Sequence, residues 1–354
     1  MQKSLLPHLR CPLNKGRLTL EVIEEKVKHL DDADMTVIET GILYADDGMV
    51  YPVIKGVPRL LLESFLDNEA FFTMHLAGFA DRKKKLLTNY GDAIFLAIKR
   101  NKLSKKSFSV EWKLLESREH INVWHINKEA FSAQLFNELG IPEYELKGKQ
   151  IIDIGCGHGR STNLLSVKAD LVIGMDMGLS VIHAEEENAS PNTHYLQADL
   201  HYLPFEERYF DIVYCSGVLH HTENTRRSFD HICKLVKNNG LVCVWLYASF
   251  NNRIQQVMLS LRKITVPLPM TLQYWLYMIF LVPIHKLVSW LKGTRRHWRE
   301  IMINQVDLLS PQYRHEHTAE EVSPWFSENG FTDIHTTTVN RLGFSMKGIK
   351  QEVK

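Results

Sequence analysis

Ile151-Ile-Asp-Ile-Gly-Cys-Gly-His-Gly-Arg160 decides the fold. Three isoleucines around Asp153 predict a strand over 151–154. Glycines at 155, 157 and 159 then turn the chain into a helix that starts at 160. Glycine permits tight positive-φ turns and, lacking a Cβ, lets a ligand approach the backbone. The free amides at the start of the following helix meet that ligand. A dinucleotide site usually has the spacing G-x-G-x-x-G, whereas Arg160 leaves G-x-G-x-G here. Working outward, the next strand (171–175) runs into Asp176, about twenty residues further on, near the offset of a ribose-binding acid. A third strand (194–197) leads to Asp199 and Leu200. In open α/β sheets ligands bind beyond the carboxyl ends of the strands. One acid at such a place reads as a solvated turn residue. Three acids at three successive strand ends (Asp153, Asp176 and Asp199) say more than the glycines do.

The same rhythm continues on both sides. Helices are expected over 160–168, 179–188, 225–237 and 318–329, and strands over 210–215, 241–246, 331–337 and 341–347. Such alternation implies right-handed crossovers and an α/β, Rossmann-like fold. Its seven-stranded sheet is mostly parallel and closes in an antiparallel hairpin near Val339-Asn340. Upstream, strands at 18–23, 35–39 and 41–44, the turn Ala45-Asp-Asp-Gly48 and the segment 51–60 predict a small β-rich module over 1–62. Residues 63–148 read as a helical linker or cap, with apolar three-to-four spacing at 65–72 and 126–139. The α/β domain takes 149–354, with a helical insertion at about 248–310.

At 354 residues and 45% hydrophobic content, the chain has ample material for a core and is long for one domain. Lys plus Arg (42) nearly cancels Asp plus Glu (41), which argues against a dedicated nucleic-acid binder. The five cysteines (Cys11, Cys156, Cys215, Cys233 and Cys243) are odd in number and show no paired spacing. They read as free thiols in a reducing compartment. Residues 1–10 are too poor in apolar residues for a secretory signal, so the cytoplasm is the expectation. Nothing in these residues sets an oligomeric state.

The glycine loop, Asp176, Asp199, Leu203-Pro-Phe205 and Phe210-Asp-Ile-Val-Tyr-Cys-Ser-Gly-Val-Leu-His-His221 together resemble class I S-adenosylmethionine-dependent methyltransferases. Within that family they are most similar to the branch acting on small molecules and quinones. The resemblance covers about 149 to the C-terminus apart from the insertion. It implies S-adenosylmethionine as cofactor. Asp153 with Gly155, Cys156, Gly157 and Gly159 would border its methionine part, Asp176 with Met177 its ribose, and Asp199 with Leu200 its adenine. Ser216 and His221 would lie beside the sulfonium. It also implies methyl transfer to a small, lipophilic or secondary-metabolite acceptor. The alternatives are methylation of a membrane lipid or quinone at the membrane surface, and a tRNA-type nucleic-acid methyltransferase. Against the latter stand the charge balance and Ser216-Gly-Val-Leu219, where base-amine enzymes carry Asn/Asp-Pro-Pro-Tyr/Phe. Arg160 likewise argues against an NAD-binding protein. At the N-terminus, Leu9-Arg-Cys-Pro12, Lys15-Gly16 and Tyr51-Pro-Val-Ile-Lys-Gly-Val-Pro58 resemble the small zinc-ribbon activator of RNA and protein methyltransferases. Asn14 stands where that family has its second cysteine, and 43–48 holds none, so no metal is expected.

Further candidates lie around that frame. His220 and His221 follow the fourth strand. One of them acts as a general base, or the pair shapes the pocket. Trp112 covers the cofactor or substrate, or staples the two parts of the chain. Tyr313, His315 and His317 line the substrate pocket or form a polar loop before the capping box Thr318-Ala-Glu-Glu321. The uncharged centre of the insertion, 264–285, is long enough for a membrane span but is interrupted by Pro267, Pro269 and Pro283. It reads as a lid over an apolar pocket. With its basic flanks it also reads as a peripheral contact with the inner face of the membrane through 264–296.

Overall fold

The computed structural model describes residues 1–29, 34–116, 128–188, 190–249, 253–294 and 296–352. The chain opens on an antiparallel sheet of β1 (Leu18–His29), β2 (Asp34–Ala45), β3 (Val50–Ile54) and β4 (Val57–Pro58). The two short strands expected over 35–39 and 41–44 are one strand, because β2 keeps pairing with β1 on both sides of Gly41, across a register shift at Val22–Glu25. Short helices α1 (Ser64–Asp67) and α2 (Glu69–His75) lead to the long α3 (Phe79–Glu116) and then α4 (Lys128–Leu139).

The expected α/β alternation follows: β5 (Gln150–Ile154), α5 (Arg160–Ser166), β6 (Leu171–Asp176), α6 (Ser180–Glu187), β7 (Thr193–Gln197), β8 (Phe210–Ser216), α7 (Thr225–Cys233) and β9 (Val236–Tyr247). The insertion contributes α8 (Arg253–Thr265), α9 (Met270–Leu276), α10 (Val282–Leu291) and α11 (Trp298–Leu309). The chain closes with α12 (Ala319–Glu328), β10 (Phe331–Val339) and β11 (Gly343–Lys350). The seven strands lie in the order β10-β11-β9-β8-β5-β6-β7, parallel from β9 to β7 and antiparallel at β11 and β10. The order reverses between β5 and β8, so the crevice at their carboxyl ends is where a ligand is expected.

β7 is an edge strand, and unpaired edges invite aggregation. The N-terminal module covers this one. Leu60 donates its N–H to the Gln197 carbonyl at 2.7 Å, and Arg59 bridges Gln197 in parallel. Leu43, Val53 and Leu60 share one apolar cluster with Ile173 and Met175 of the large sheet. In the knuckle of the module, the Asn14 side-chain oxygen accepts the Gly16 N–H at 2.8 Å, so an Asx turn shapes the loop. The Cys11 thiol lies beside the Tyr51 hydroxyl at 3.5 Å.

α3 was not singled out by apolar periodicity, for a physical reason. Its buried stripe starts as Leu86, Ile94 and Ala97 and continues at the same spacing as Asn101, Ser104 and Ser107. The stripe turns polar where the helix reaches the crevice. The insertion has its own apolar cluster, in which Met270, Tyr277 and Val282 meet Ile301, Met302 and Val306. Pro267 and Pro269 precede its central helix. Pro283, which cannot donate to the turn before it, follows a π-helical turn at Tyr277–Leu281, and the helix continues through it.

Candidate active site

At the carboxyl ends of β5, β6 and β8 lies a cavity of about 680 Å³. Its floor is formed by Gly155, Cys156, Asp176, Met177, Leu200 and Ser216, all expected from the sequence. Gly155 has φ +78°, and a Cβ there would stand 2.1 Å from the Val218 side chain, so the backbone itself forms the surface. Asp176 accepts the N–H groups of Gly157 (3.0 Å) and Gly178 (2.6 Å), one on each oxygen. A carboxylate offers about four acceptor positions. The Met177 backbone adds a third such bond, and the carboxylate lines the cavity. Burial raises the Asp176 carboxyl above its ordinary range, against those backbone bonds.

Three expected cofactor residues stand elsewhere. Gly157 is spent on Asp176. Gly159 caps α5 in the left-handed region (φ +75°), and its missing Cβ makes room for Tyr195. Asp153 lies beneath the cavity, fully buried, where the Thr162 hydroxyl donates to it at 2.6 Å. Asp199 does line the cavity, yet it is not free to read an adenine amine. Its Oδ2 accepts from Arg100 (2.7 Å) and Asn101 (2.7 Å), and its Oδ1 from the backbone and ring of His201 (2.9 Å each). All four acceptor positions are taken. Burial would raise this carboxyl, but the His201 bonds and the Arg100 charge hold it below the ordinary range.

Two predictions arise here. Gly159→Ala should cost about 2–4 kcal/mol of stability, from a positive φ and a Cβ 2.5 Å from the Tyr195 hydroxyl; urea unfolding measures it. Asp153 is pushed up to about 7 by burial. The native state then keeps a proton that the unfolded chain loses near pH 4, so stability should fall as pH rises from about 4 to about 7. Urea unfolding of Asp153→Asn across that window should show a flatter profile.

The wall opposite the floor was not legible as a site. α3 contributes Arg100, Asn101, Ser104 and Phe108, and α4 contributes Phe131, Gln134 and Glu138. The Glu138 carboxylate is buried and accepts from Tyr214 (2.7 Å), Ser216 (3.0 Å) and Gln134 (2.8 Å). Arg160 lies 3.9 Å over the Phe131 ring. Gln134 and Glu138, polar residues four apart beside the buried Leu135 and Leu139, are the available signal.

On the far side, His220 and His221 face Tyr247, Trp245 and Phe108. His221 donates from Nδ1 to the Tyr313 carbonyl at 3.0 Å, and its Nε2 lies 3.6 Å from Asp307 of α11. The Tyr247 hydroxyl donates to the other Asp307 oxygen at 2.6 Å. Burial would raise Asp307, but the His221 and Tyr247 bonds and the Arg314 charge keep it below the ordinary carboxylate range. His220 is fully buried with no hydrogen bond at either ring nitrogen, and burial pushes it well below the usual histidine range.

Tyr313 lines the cavity; His315 and His317 do not. They tie the segment after the insertion to the sheet: His315 through the carbonyls of His220 and Thr222, His317 through that of Tyr247 and the Glu321 carboxylate. Thr318 caps α12 by accepting the Glu321 N–H, as the sequence pattern predicts. The Trp112 side chain lies outside the described residues. All five cysteines are buried and unpaired in disulfides.

The strand order, the terminal hairpin and the carboxylate at the end of β6 define a Rossmann-like domain built for a nucleoside-bearing cofactor. Residues 152–244 match the family described as a methyltransferase domain, and this stretch is a methyltransferase domain of the S-adenosylmethionine-dependent kind. A ubiquinone biosynthesis O-methyltransferase from Coxiella burnetii is 33% identical over 100 residues, 27% of this chain and 42% of the relative. One from a Shewanella species is 28% identical over 142 residues, covering 37% and 58%. The chain thus spans about half the length of these relatives. The magnesium protoporphyrin IX methyltransferase of Synechocystis, solved with bound S-adenosylhomocysteine, superposes with a TM-score of 0.44 at 17% identity. That superposition covers 71% of this chain and 100% of the other.

Proposed function

We propose that the whole chain transfers a methyl group from S-adenosylmethionine to a hydroxyl on a small, apolar, aromatic acceptor. The single observation behind this reading is that one cavity joins two unlike halves. One half is the glycine loop with Asp176. The other is lined by Phe108, Trp245, Tyr247 and the two histidines. The relatives named for ubiquinone biosynthesis support oxygen as the methylated atom.

Asp176 would hold the ribose hydroxyls from the cavity wall. Glu138 and Arg160, of opposite charge and both at the cavity wall, suit the amino and carboxyl groups of the methionine part. Met177, Leu200 and Cys156 would pack against the rest, and Ser216 would sit near the sulfonium. The cofactor supplies an activated methyl group whose leaving group is already cationic. The residues therefore have to align the acceptor and exclude water. A hydroxyl must also lose its proton, and His221 is the group to receive it: Nδ1–H is fixed on the Tyr313 carbonyl, and Nε2 is the basic nitrogen.

Labelled methyl donor incubated with the protein and a set of apolar phenols should give a labelled product that partitions into organic solvent. Label recovered only in RNA, with salt-dependent RNA binding, would overturn the acceptor class.

A further inference from the structure

The insertion has two sides. Its inner side, through α11, brings Asp307 to the cavity. Its outer side is apolar and uncovered. Along the helix of 22 residues from Met270 to Leu291, only 11% of the most apolar window is buried, and its mean hydropathy is 1.3. Leu272, Trp275, Ile279, Ile284, Leu287 and Trp290 recur at three-to-five spacing on the exposed side, while Gln273, Tyr277 and Ser289 face inward. Trp275 and Trp290 are 59% and 66% exposed. α8 adds Val257, Leu261 and Ile264 at helical spacing, also exposed. An apolar surface of this extent marks a contact.

Charge selects the partner. From Arg253 to Arg299 the sequence holds eight Lys and Arg residues and no Asp or Glu, in a chain whose overall charge is +1. Lys263, Lys286, Lys292 and Arg296 are exposed beside the apolar stripe. An apolar stripe with tryptophans and exposed bases along its edge is what an anionic lipid surface recognises. A protein partner of this size would leave unexplained why no acid was placed among the bases. Against a span stand Gln273 and Ser289, which are buried on the helix's other side, and His285, which meets Gln305 of α11 at 3.1 Å.

We infer that α8, α9 and α10 form a docking face that lays this protein on an anionic bilayer, with the helix from Met270 to Leu291 in the plane of the headgroups. The inference rests on the surface alone and stands apart from the proposed chemistry. α11 joins this face to the site: its Ile301, Met302 and Val306 pack in the insertion's cluster, and its Asp307 lines the cavity.

Flotation of the full chain with vesicles tests it. The protein should float with phosphatidylglycerol–phosphatidylcholine vesicles at low salt at least about tenfold more than with phosphatidylcholine alone, and high salt should release it. Leu287→Glu with Trp290→Glu should abolish flotation. S-adenosylmethionine affinity should be unchanged in that variant, which shows that the fold survives. No flotation on the anionic vesicles would overturn the proposal. So would resistance to alkaline carbonate, which marks a span, or a concentration-dependent dimer lost in the same variant, which marks a second copy on the face.

Discussion

Asp176→Ala is expected to weaken S-adenosylmethionine binding by about a hundredfold or more in isothermal titration. The carboxylate sits at the end of β6, accepts the N–H groups of Gly157 and Gly178, and lines the cavity. Two hydrogen bonds from ribose hydroxyls to a charged acceptor contribute about 1.5–3 kcal/mol each. The alanine removes both and frees the glycine loop as well. Asp176→Asn separates these effects: its amide oxygen still accepts one backbone N–H, so the loop should hold while the affinity still falls. Asp199→Asn is the internal contrast. Its four bonds go to Arg100, Asn101 and His201, so the expected loss is in unfolding temperature rather than in cofactor affinity. Equal cofactor affinity in Asp176→Ala and the native chain would refute the ribose assignment.

That contrast shows where sequence reading stops. The glycine loop, the strand ends and the alternation are local patterns with fixed periods, and they placed the sheet, its crevice and Asp176. They could not separate Asp176 from Asp199, because the difference lies in Arg100 and Asn101, about a hundred residues earlier on α3. Asp307 was hidden for a similar reason. It is one of two acids in α11, with Glu300, and only folding brings it to His221. His315 and His317 erred in the opposite direction. Polar residues near a predicted site look like ligands, yet the Thr222 carbonyl claims the His315 ring and the Glu321 carboxylate the His317 ring. The signal that would have helped was subtler than a motif. At Asn101, Ser104 and Glu138 a helical stripe keeps its period but changes from apolar to polar. Burial of polar groups is costly unless they find partners, so such a change marks the point where a helix turns from core to cavity.

His221→Gln should lower kcat about 10²–10³-fold towards a hydroxyl acceptor while leaving S-adenosylmethionine affinity within about twofold. The Tyr313 carbonyl can only accept, so the proton of neutral His221 is on Nδ1 and the basic nitrogen is Nε2. Nε2 stands 3.6 Å from an Asp307 oxygen, and the Tyr247 hydroxyl fixes the other. When Nε2 takes the acceptor's proton, the imidazolium forms beside a carboxylate that its surroundings keep ionised. Asp307→Asn should therefore cost less, about tenfold to a hundredfold. A purely structural role for Asp307 would show instead as a lowered unfolding temperature in Asp307→Asn. His220 has the opposite setting: buried, neutral and unbonded at both nitrogens. It has no neighbouring carboxylate to stabilise a proton. His220→Phe should keep most of the turnover and change acceptor preference, so a large kcat loss there with a mild one in His221→Gln would reverse the assignment.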